Sequence, residues 1–390
     1  MIKTILYSII AITLNACAVQ QQTTQASQPE STSSIKIPKN FYAEELGQCR
    51  MNGNFKGFEI TAQIYQSEIR PIIGFDWQEY HKIYSTSMRV EHEPLSRPIA
   101  YLSAASHHAA YTKDEEEIQI TTDYIYQIAK GNQFMNTKSY AEAKGICYGG
   151  NNNTSAPCPG HAPAHLGLNM TTYLISALWM KEYFTKEQMD VLNPYIKKIY
   201  FKYIYPKAIE QVDSGFYEMA NLGIGRLAYA AWTNDTKMAE DEFRMRFKQM
   251  DKLWEDNGYI NNNSYRGVRG VFYHSMGVDI ALGYIQLANA WGYKTPDKLM
   301  VKVKKSAELI NADIDNPKNY YSYPDSKIPF NASKNSADAQ GVHSQAFALK
   351  VLMKNVVDVD LKSDLEFENK SRGEFIDVML GFNPKCMFPH

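Results

Sequence analysis

The sequence has no excess of positive charge, because 41 Lys and Arg residues stand against 42 Asp and Glu residues and the formal net charge is −1. No basic stripe stands out, which disfavours a nucleic-acid-binding protein. Beyond the N-terminus no apolar run reaches the length of a membrane span, which disfavours an integral membrane protein. No repeat of fixed period stands out, and 390 residues indicate one large domain or two closely packed domains.

The N-terminal residues have the pattern of an export signal. Lys3 precedes a mostly apolar run at 5–14, which ends in small residues before Cys17, as in secretory signal peptides. With a cysteine at the cleavage point, the stretch resembles a bacterial lipoprotein box. The resemblance implies a signal peptide at 1–16, lipid on Cys17 and, because Ala18 follows, a periplasmic protein anchored in the outer membrane of a Gram-negative bacterium. An ordinary signal peptide with a chance cysteine is the alternative.

The segment after the signal is polar. Gln, Thr and Ser dominate residues 17–36, so we expect a flexible tether that leads to a folded domain at 37–390. Tyrosine is frequent, with 27 residues in the chain. Its flat apolar face and polar tip suit helix packing, and they also suit stacking on sugar rings.

Four cysteines follow Cys17, and an even number in an exported chain indicates disulfides. Three pairings are possible. We expect Cys147 to pair with Cys158, since they bracket a loop rich in Gly, Asn and Pro. Cys49 and Cys386 would then join the two ends of the domain. A zinc site is disfavoured because the sequence has no Cys-x-x-Cys pair.

Apolar residues recur at spacings of three and four over most of the chain, which predicts helices. The predicted helices cover about 97–111, 115–130, 165–183, 186–211, 218–233 and 236–256. A further helix follows the signature stretch and ends near 291, and two more cover about 295–311 and 340–353. Pro194 and Pro206 are predicted to mark turns or helix starts, and Asn257-Gly258 is predicted to form a turn. Helix pairs with short links and few convincing strands predict an all-α array. The pattern leaves a toroid and an α-solenoid equally open.

The most informative stretch runs from Asp256 to His274 and reads DNGYINNNSYRGVRGVFYH. Residues seven apart lie two turns along one helix face, so we expect Arg266 and Tyr273 to face the same way. A guanidinium can bind a carboxylate bidentately, and a nearby cation favours loss of a phenol proton. The same spacing also fits an amphipathic helix with a surface arginine and a half-buried tyrosine.

This stretch resembles a signature of the alginate lyase superfamily, which contains poly-mannuronate lyases and their relatives. The signature reads Gly-Tyr, a short polar turn, then Arg-x-x-Arg-x-x-x-Tyr-His. The matching residues, without a gap, are Gly258, Tyr259, Arg266, Arg269, Tyr273 and His274. The resemblance is close over about 215–292 and extends elsewhere only to helical character. It implies an incomplete (α/α) toroid of antiparallel helix pairs with a cleft across its wider end.

The resemblance also implies β-elimination on a uronate polymer of the alginate or polymannuronate kind. A base removes the C5 proton and an acid protonates O4, while neutralising the neighbouring carboxylate stabilises the enolate-like transition state. By family role, Tyr273 transfers the proton, and Arg266 and Asn221 hold the carboxylate. Further substrate contacts are expected from Arg269, Tyr259, His165, His161 and His274. His274 points about 100° away from Tyr273 around the helix, which favours a structural role for it over the role of the base. No metal or cofactor is required if side chains neutralise the carboxylate.

One position departs from the family pattern, because Leu222 stands where the family has a histidine after the neutralising asparagine. This indicates a different uronate, a histidine supplied by His161, His165 or His274, or lost activity. A glucuronan-type lyase and a non-catalytic lipoprotein that binds an acidic glycan are therefore alternatives on the same scaffold.

An inverting glycoside hydrolase is a further alternative, since helical toroids host such enzymes. It would need two carboxylates that face each other across the cleft. No sequence spacing pairs the candidates Asp213, Glu218 and Asp279 convincingly. We expect a monomer whose partner is an acidic polysaccharide.

Overall fold

The fold is built from α-helices. The computed structural model describes residues 35–47, 73, 93–135, 161–210, 216–261, 263–264, 270–313, 346–362 and 380–388. In chain order the helices are α1 (Glu93–Thr112), α2 (Glu115–Lys130), α3 (His161–Trp179), α4 (Lys186–Ile199), α5 (Tyr205–Glu210), α6 (Phe216–Thr233), α7 (Thr236–Leu253), α8 (Gly270–Ala290), α9 (Asp297–Asp313) and α10 (Ala346–Val357). Within these ranges no strand forms, and Trp254 and Ile260 make an isolated β-bridge.

The helices pack as antiparallel pairs in two layers within the unit Ser33–His390. Helices α1, α3, α6, α8 and α10 each contact the next in this series and form the inner layer. Helices α2, α4, α7 and α9 form the outer layer, in which α2 contacts α4 and α7 contacts α9. This arrangement confirms the predicted fold class, an all-α, incomplete (α/α) toroid of antiparallel helix pairs.

In two of the antiparallel pairs the helices are joined by the same kind of two-residue link. Lys113 and Asn234 both adopt positive φ, at 59° and 56°, which reverses the chain after α1 and after α6. The aspartate that follows each of them caps the next helix, because Asp114 accepts from the Glu117 N–H and Asp235 from the Met238 N–H. The tight links force each outer helix to run antiparallel to the inner helix before it.

The buried faces follow the sequence periodicity. In α3 the predicted face is fully enclosed, comprising Leu166, Met170, Tyr173, Leu174, Ala177 and Leu178. In the outer layer α4 buries one side only, since Leu192, Tyr195 and Ile196 are buried while Lys197 and Lys198 are exposed. No helix in the described part of the chain has the length and apolar character needed to cross a membrane.

Residues 35–47 pack across one end of the helix array. The indole N–H of Trp179, the last residue of α3, donates to the Asn40 carbonyl at 3.2 Å. The indole N–H of Trp291, which follows α8, donates to the Phe41 carbonyl at 2.6 Å. Because adjacent residues reach the carboxyl ends of both helices, α3 and α8 end at the same side of the array. Their amino-terminal ends therefore lie at the opposite side.

The predicted helix 186–211 differs in detail from the structure. Pro194 lies inside α4, so the prediction that it marks a turn or a helix start is wrong; burial of the flanking apolar face outweighs a local cost of about 3 kcal/mol. After α4 the chain widens into a π-helix, Tyr200–Ile204, where the Tyr205 N–H donates to the Tyr200 carbonyl. Pro206 follows at the start of α5 and, lacking an N–H, needs no partner there.

The C-terminal segment is held by a disulfide at Cys386. Cys17, Cys49, Cys147 and Cys158 lie outside the described residues, so both predicted pairings and the predicted lipid site stay predictions. Gly47 is close to the C-terminal segment, because a Cβ at Gly47 would lie 3.7 Å from the Cys386 carbonyl oxygen.

We expect peptide mapping without reduction to recover Cys49 linked to Cys386. The physical reason is that Gly47, two residues before Cys49, already lies against the Cys386 backbone, and bridged Cα atoms lie roughly 4.4–6.8 Å apart. A map that links Cys386 to Cys147 or Cys158 would contradict this pairing.

Candidate functional site

The sequence-predicted site residues fall near the amino-terminal ends of three inner helices. His161 and His165 belong to the start of α3, Asn221 to the second turn of α6, and Tyr273 to the first turn of α8. Each inner helix pairs with an antiparallel outer helix, so successive inner helices begin at the same end of the array. The backbone therefore brings these positions to one side, opposite residues 35–47.

Part of the predicted set lies outside the described residues. This holds for Arg266 and Arg269 altogether, so the predicted shared face of Arg266 and Tyr273 stays a prediction. It also holds for the side chains of His161, His165, Asn221 and Leu222, whose backbones belong to α3 and α6. Of the six residues that match the signature, Tyr259, Tyr273 and His274 have described side chains.

A tight turn precedes α8, and we call residues 254–264 the pre-α8 turn. Gly258 has φ of +95°, a conformation that favours glycine, and this confirms the predicted turn at Asn257-Gly258. The Gly258 N–H donates to the Glu255 carbonyl at 3.0 Å, and the Glu255 N–H donates to the Tyr259 carbonyl at 2.9 Å. These bonds fold the chain back on itself before the helix begins.

Helix α9 holds the end of α7 and the pre-α8 turn through three side chains. Lys302 donates to the carbonyl of Asp251 at 2.9 Å and to its carboxylate at 2.8 Å. Lys305 donates to the Asp256 carbonyl at 2.7 Å. The hydroxyl of Ser306 donates to the Gly258 carbonyl. The turn is therefore fixed from outside, by a helix that comes later in the chain.

His274 is fully buried and both of its ring nitrogens bond within the protein. Nε2 lies 3.0 Å from the Ser306 carbonyl, which can only accept, so Nε2 carries the proton. Burial lowers the pKa of His274 to about 4, although the bond to Ser306 opposes this shift. The ring is thus neutral at neutral pH, and Nδ1 accepts from the Ser264 hydroxyl at 2.8 Å.

These contacts change the interpretation of His274. It was predicted as a substrate-binding residue, but its exposed fraction is 0% and its nitrogens bind Ser264 and Ser306. The burial is consistent with a structural histidine rather than a ligand for sugar. Tyr259 packs edge-on against this ring, with centroids 6.1 Å apart, and remains half-buried.

Tyr273 directly precedes His274 and is half-buried. Successive residues of an α-helix point about 100° apart, so anchoring His274 inward sets the direction of Tyr273. The Asn263 side-chain amide also donates to the Tyr273 carbonyl at 2.8 Å. Gly277 makes room for this contact, because a Cβ there would lie 2.9 Å from Asn263 Nδ2 and 2.8 Å from Ile260 Cδ1.

A buried ionic cluster lies between the two layers beneath α6, and sequence reasoning missed it. The Glu242 carboxylate accepts from Arg246 Nε at 2.9 Å, from the Tyr284 hydroxyl at 3.0 Å and from Arg226 at 3.1 Å. A side chain at Gly223 would overlap the Tyr284 hydroxyl and this carboxylate. The cluster joins α6, α7 and α8 two residues from Asn221. The spacing of Glu242 and Arg246, four apart on one helix, was the available signal.

Of the three carboxylates considered for a glycoside hydrolase, only one has a described side chain, so no pair of them can be identified. Asp279 is fully buried in α8, whereas Asp213 and the Glu218 side chain lie outside the described residues. In the described part of the chain no group of three or more His, Cys, Asp or Glu side chains is placed to hold a metal ion.

Comparison with solved structures shows a structural likeness. No protein-family model matches the chain, and no curated protein matches it. A solved structure of alginate lyase A1-III, a tyrosine-to-phenylalanine variant complexed with a tetrasaccharide, is similar over 94% of this chain and 92% of that chain. The sequence identity is 10% and the TM-score 0.48. Neither the activity nor the substrate of this chain follows from these values.

Proposed function

We propose that this chain is a polysaccharide lyase that cleaves a β-linked uronate polymer, of the alginate or polymannuronate kind, by β-elimination. The observation that carries the proposal is the position of Tyr273 directly before the buried His274. His274 is locked inside the protein, which leaves the adjacent Tyr273 half-buried in the first turn of α8. It lies at the end of the array where α3 and α6 also begin.

In the proposed reaction Tyr273 transfers the proton. A base takes the proton from C5, the electron pair forms the C4–C5 double bond, the C4–O4 bond breaks, and O4 receives a proton. Mannuronate and glucuronate carry H5 and O4 on the same side of the ring, so one tyrosine can serve both steps. Guluronate carries them on opposite sides and would need a second base.

Arg266 and Asn221 are proposed to bind the substrate carboxylate. Charge on that carboxylate grows as the C5 proton leaves, so donors aimed at it stabilise the transition state more than the ground state. Arg269, Tyr259, His161 and His165 are proposed to contact neighbouring sugars. We assign His274 a positioning role instead, because its nitrogens are occupied inside the protein.

The test is to incubate the chain, without its signal segment, with mannuronan, guluronan and glucuronan and to follow the ultraviolet absorbance of the unsaturated product. We expect absorbance to rise on mannuronan or glucuronan and to rise least on guluronan, because one tyrosine suits the first two.

Leu222, at the family's histidine position, favours a second candidate. On that view the chain is a lipoprotein, anchored through Cys17, that binds an acidic glycan without cleaving it. Absence of product on all three polymers, together with measurable binding of one of them, would replace the lyase proposal by this one.

A further inference from the structure

One buried serine contacts both ends of the signature stretch. Ser306 lies in α9 and has an exposed fraction of 0%. Its hydroxyl donates to the carbonyl of Gly258, the first residue of the Gly-Tyr to Tyr-His pattern. Its own backbone carbonyl accepts from Nε2 of His274, the last residue of that pattern, at 3.0 Å. The two ends of the stretch therefore meet at a single residue of another helix.

We propose that Ser306 is a positioning residue for Tyr273, because it holds Gly258 and His274 together and so fixes the first turn of α8. The proposal rests on the proposed function, which gives Tyr273 its role. We call Gly258, Ser264, His274 and Ser306 the Ser306 clamp.

The first turn of α8 needs hydrogen bonds from other elements to hold its position. The first four N–H groups of a helix lack intrahelical partners, and helix ends fray. Tyr273 lies in that turn, so its position depends on bonds from outside the helix. The clamp supplies one of them through His274, and the Asn263 amide supplies another on the Tyr273 carbonyl.

Both of these bonds depend on the pre-α8 turn staying on α9. Ser264, which donates to His274, also accepts from the Ile260 N–H at 2.8 Å, so it belongs to the turn. Asn263 belongs to the turn as well. The Ser306 hydroxyl binds the turn at Gly258, where the backbone comes so close to α9 that a Cβ would lie 3.0 Å from Lys305 Cβ. Loss of the hydroxyl should loosen the turn and Tyr273 together.

The principal test compares Ser306→Ala with Ser275→Ala. Ser306→Ala removes the bond to Gly258 and keeps the helix-forming backbone. Ser275 is a matched control, because it is also fully buried, lies next to His274, and its hydroxyl has no hydrogen-bond partner among the described residues. For Ser306→Ala we expect kcat on the preferred uronate polymer to fall about 10- to 100-fold with KM within about twofold, since a displacement of about 1 Å costs that much. Ser275→Ala should match the native chain.

Two variants of His274 separate the bonds of the clamp. Glutamine places its amide nitrogen near the position of Nε2, so His274→Gln keeps the donor to Ser306. Asparagine places its oxygen near the position of Nδ1, so His274→Asn keeps the acceptor for Ser264 and loses Ser306. We expect His274→Asn to reproduce the fall in kcat and His274→Gln to retain most of the native value. Equal losses in both variants would overturn the assignment to Ser306.

Hydrogen exchange keeps this test separate from the proposed function. In Ser306→Ala we expect faster exchange in peptides spanning residues 254–277 and native exchange in α6. Native kcat in Ser306→Ala overturns the proposal, even if exchange rises, because the serine is then only structural. If the native chain cleaves no uronate polymer, the lyase proposal fails, and exchange alone decides whether Ser306 fixes the start of α8; native exchange in Ser306→Ala would then overturn the clamp.

Discussion

Tyr273→Phe is expected to lower kcat for uronate elimination by at least about 10²-fold, and by up to about 10⁴-fold, which is the range that a positioned proton transfer contributes. The change removes the transferable proton and keeps the ring. The backbone contact from Asn263 to the Tyr273 carbonyl is independent of the side chain, so the first turn of α8 should keep its position. KM should change little, since the proposed function assigns the substrate carboxylate to Arg266 and Asn221.

The control for this variant is Tyr293→Phe. The Tyr293 ring stacks on Phe243 with centroids 5.3 Å apart, and it lies just beyond the carboxyl end of α8, away from Tyr273. It tests whether loss of a tyrosine hydroxyl by itself affects kcat. Both variants should melt within a few degrees of the native chain, because one hydrogen bond contributes about 1 kcal/mol.

A Tyr273→Phe variant with near-native kcat would rule out Tyr273 as the proton-transfer residue. The search for the base would then move to His161 and His165, which begin α3 at the same end of the array. Loss of binding with unchanged kcat would instead make Tyr273 a substrate contact, since uniform binding affects KM alone.

The sequence predicted the parts of the fold that depend on local pattern. The helix over 115–130 agrees with α2 residue for residue, because an aspartate cap and an amphipathic face mark it clearly. The turn at Asn257-Gly258 agrees because glycine is suited to a φ of +95°. Pro194 was misread because tertiary burial of the α4 face outweighs the local preference of proline.

The partners of His274 could not be read from the sequence. Its direction on the helix, about 100° from Tyr273, favoured a structural role, although it was also expected to contact substrate. Its partners Ser264 and Ser306 are ordinary serines, and Ser306 lies in a different helix. No spacing rule relates residues that meet only through packing of two helices, so the two bonds of His274 are known from the structure alone.

Glu242→Ala is expected to lower the free energy of unfolding by about 3–5 kcal/mol, the cost of leaving buried charge without its partner. Glu242 and Arg246 both have exposed side-chain fractions of 0%. Arg246 would keep the Gln249 side chain and the Ala208 carbonyl as acceptors, but both are neutral. Arg226, at 13% exposed, would also lose its counterion. Urea unfolding of the purified variant measures the change.

Asp241→Ala is the matched control on the same helix. Asp241 pairs with Arg244 three residues away, as Glu242 pairs with Arg246 four residues away, but both partners of the first pair are exposed, at 36% and 63%. An exposed pair contributes about 0–1 kcal/mol, so we expect little change in the free energy of unfolding. Equal effects of Asp241→Ala and Glu242→Ala would contradict the claim that burial makes the difference.

The double variant Glu242→Met, Arg246→Met separates charge pairing from packing. Replacing a buried ion pair by apolar residues of similar volume is often neutral, so the double variant should be more stable than Glu242→Ala. Arg226 remains, but its partial exposure lets water solvate it.

Gly223→Ala should be destabilising, because its Cβ would displace the Tyr284 hydroxyl and Glu242. This is opposite to the usual effect, since alanine normally favours a helix over glycine by about 1 kcal/mol. If Gly223→Ala is neutral in the native background, the cluster does not constrain the α6 backbone beside Asn221.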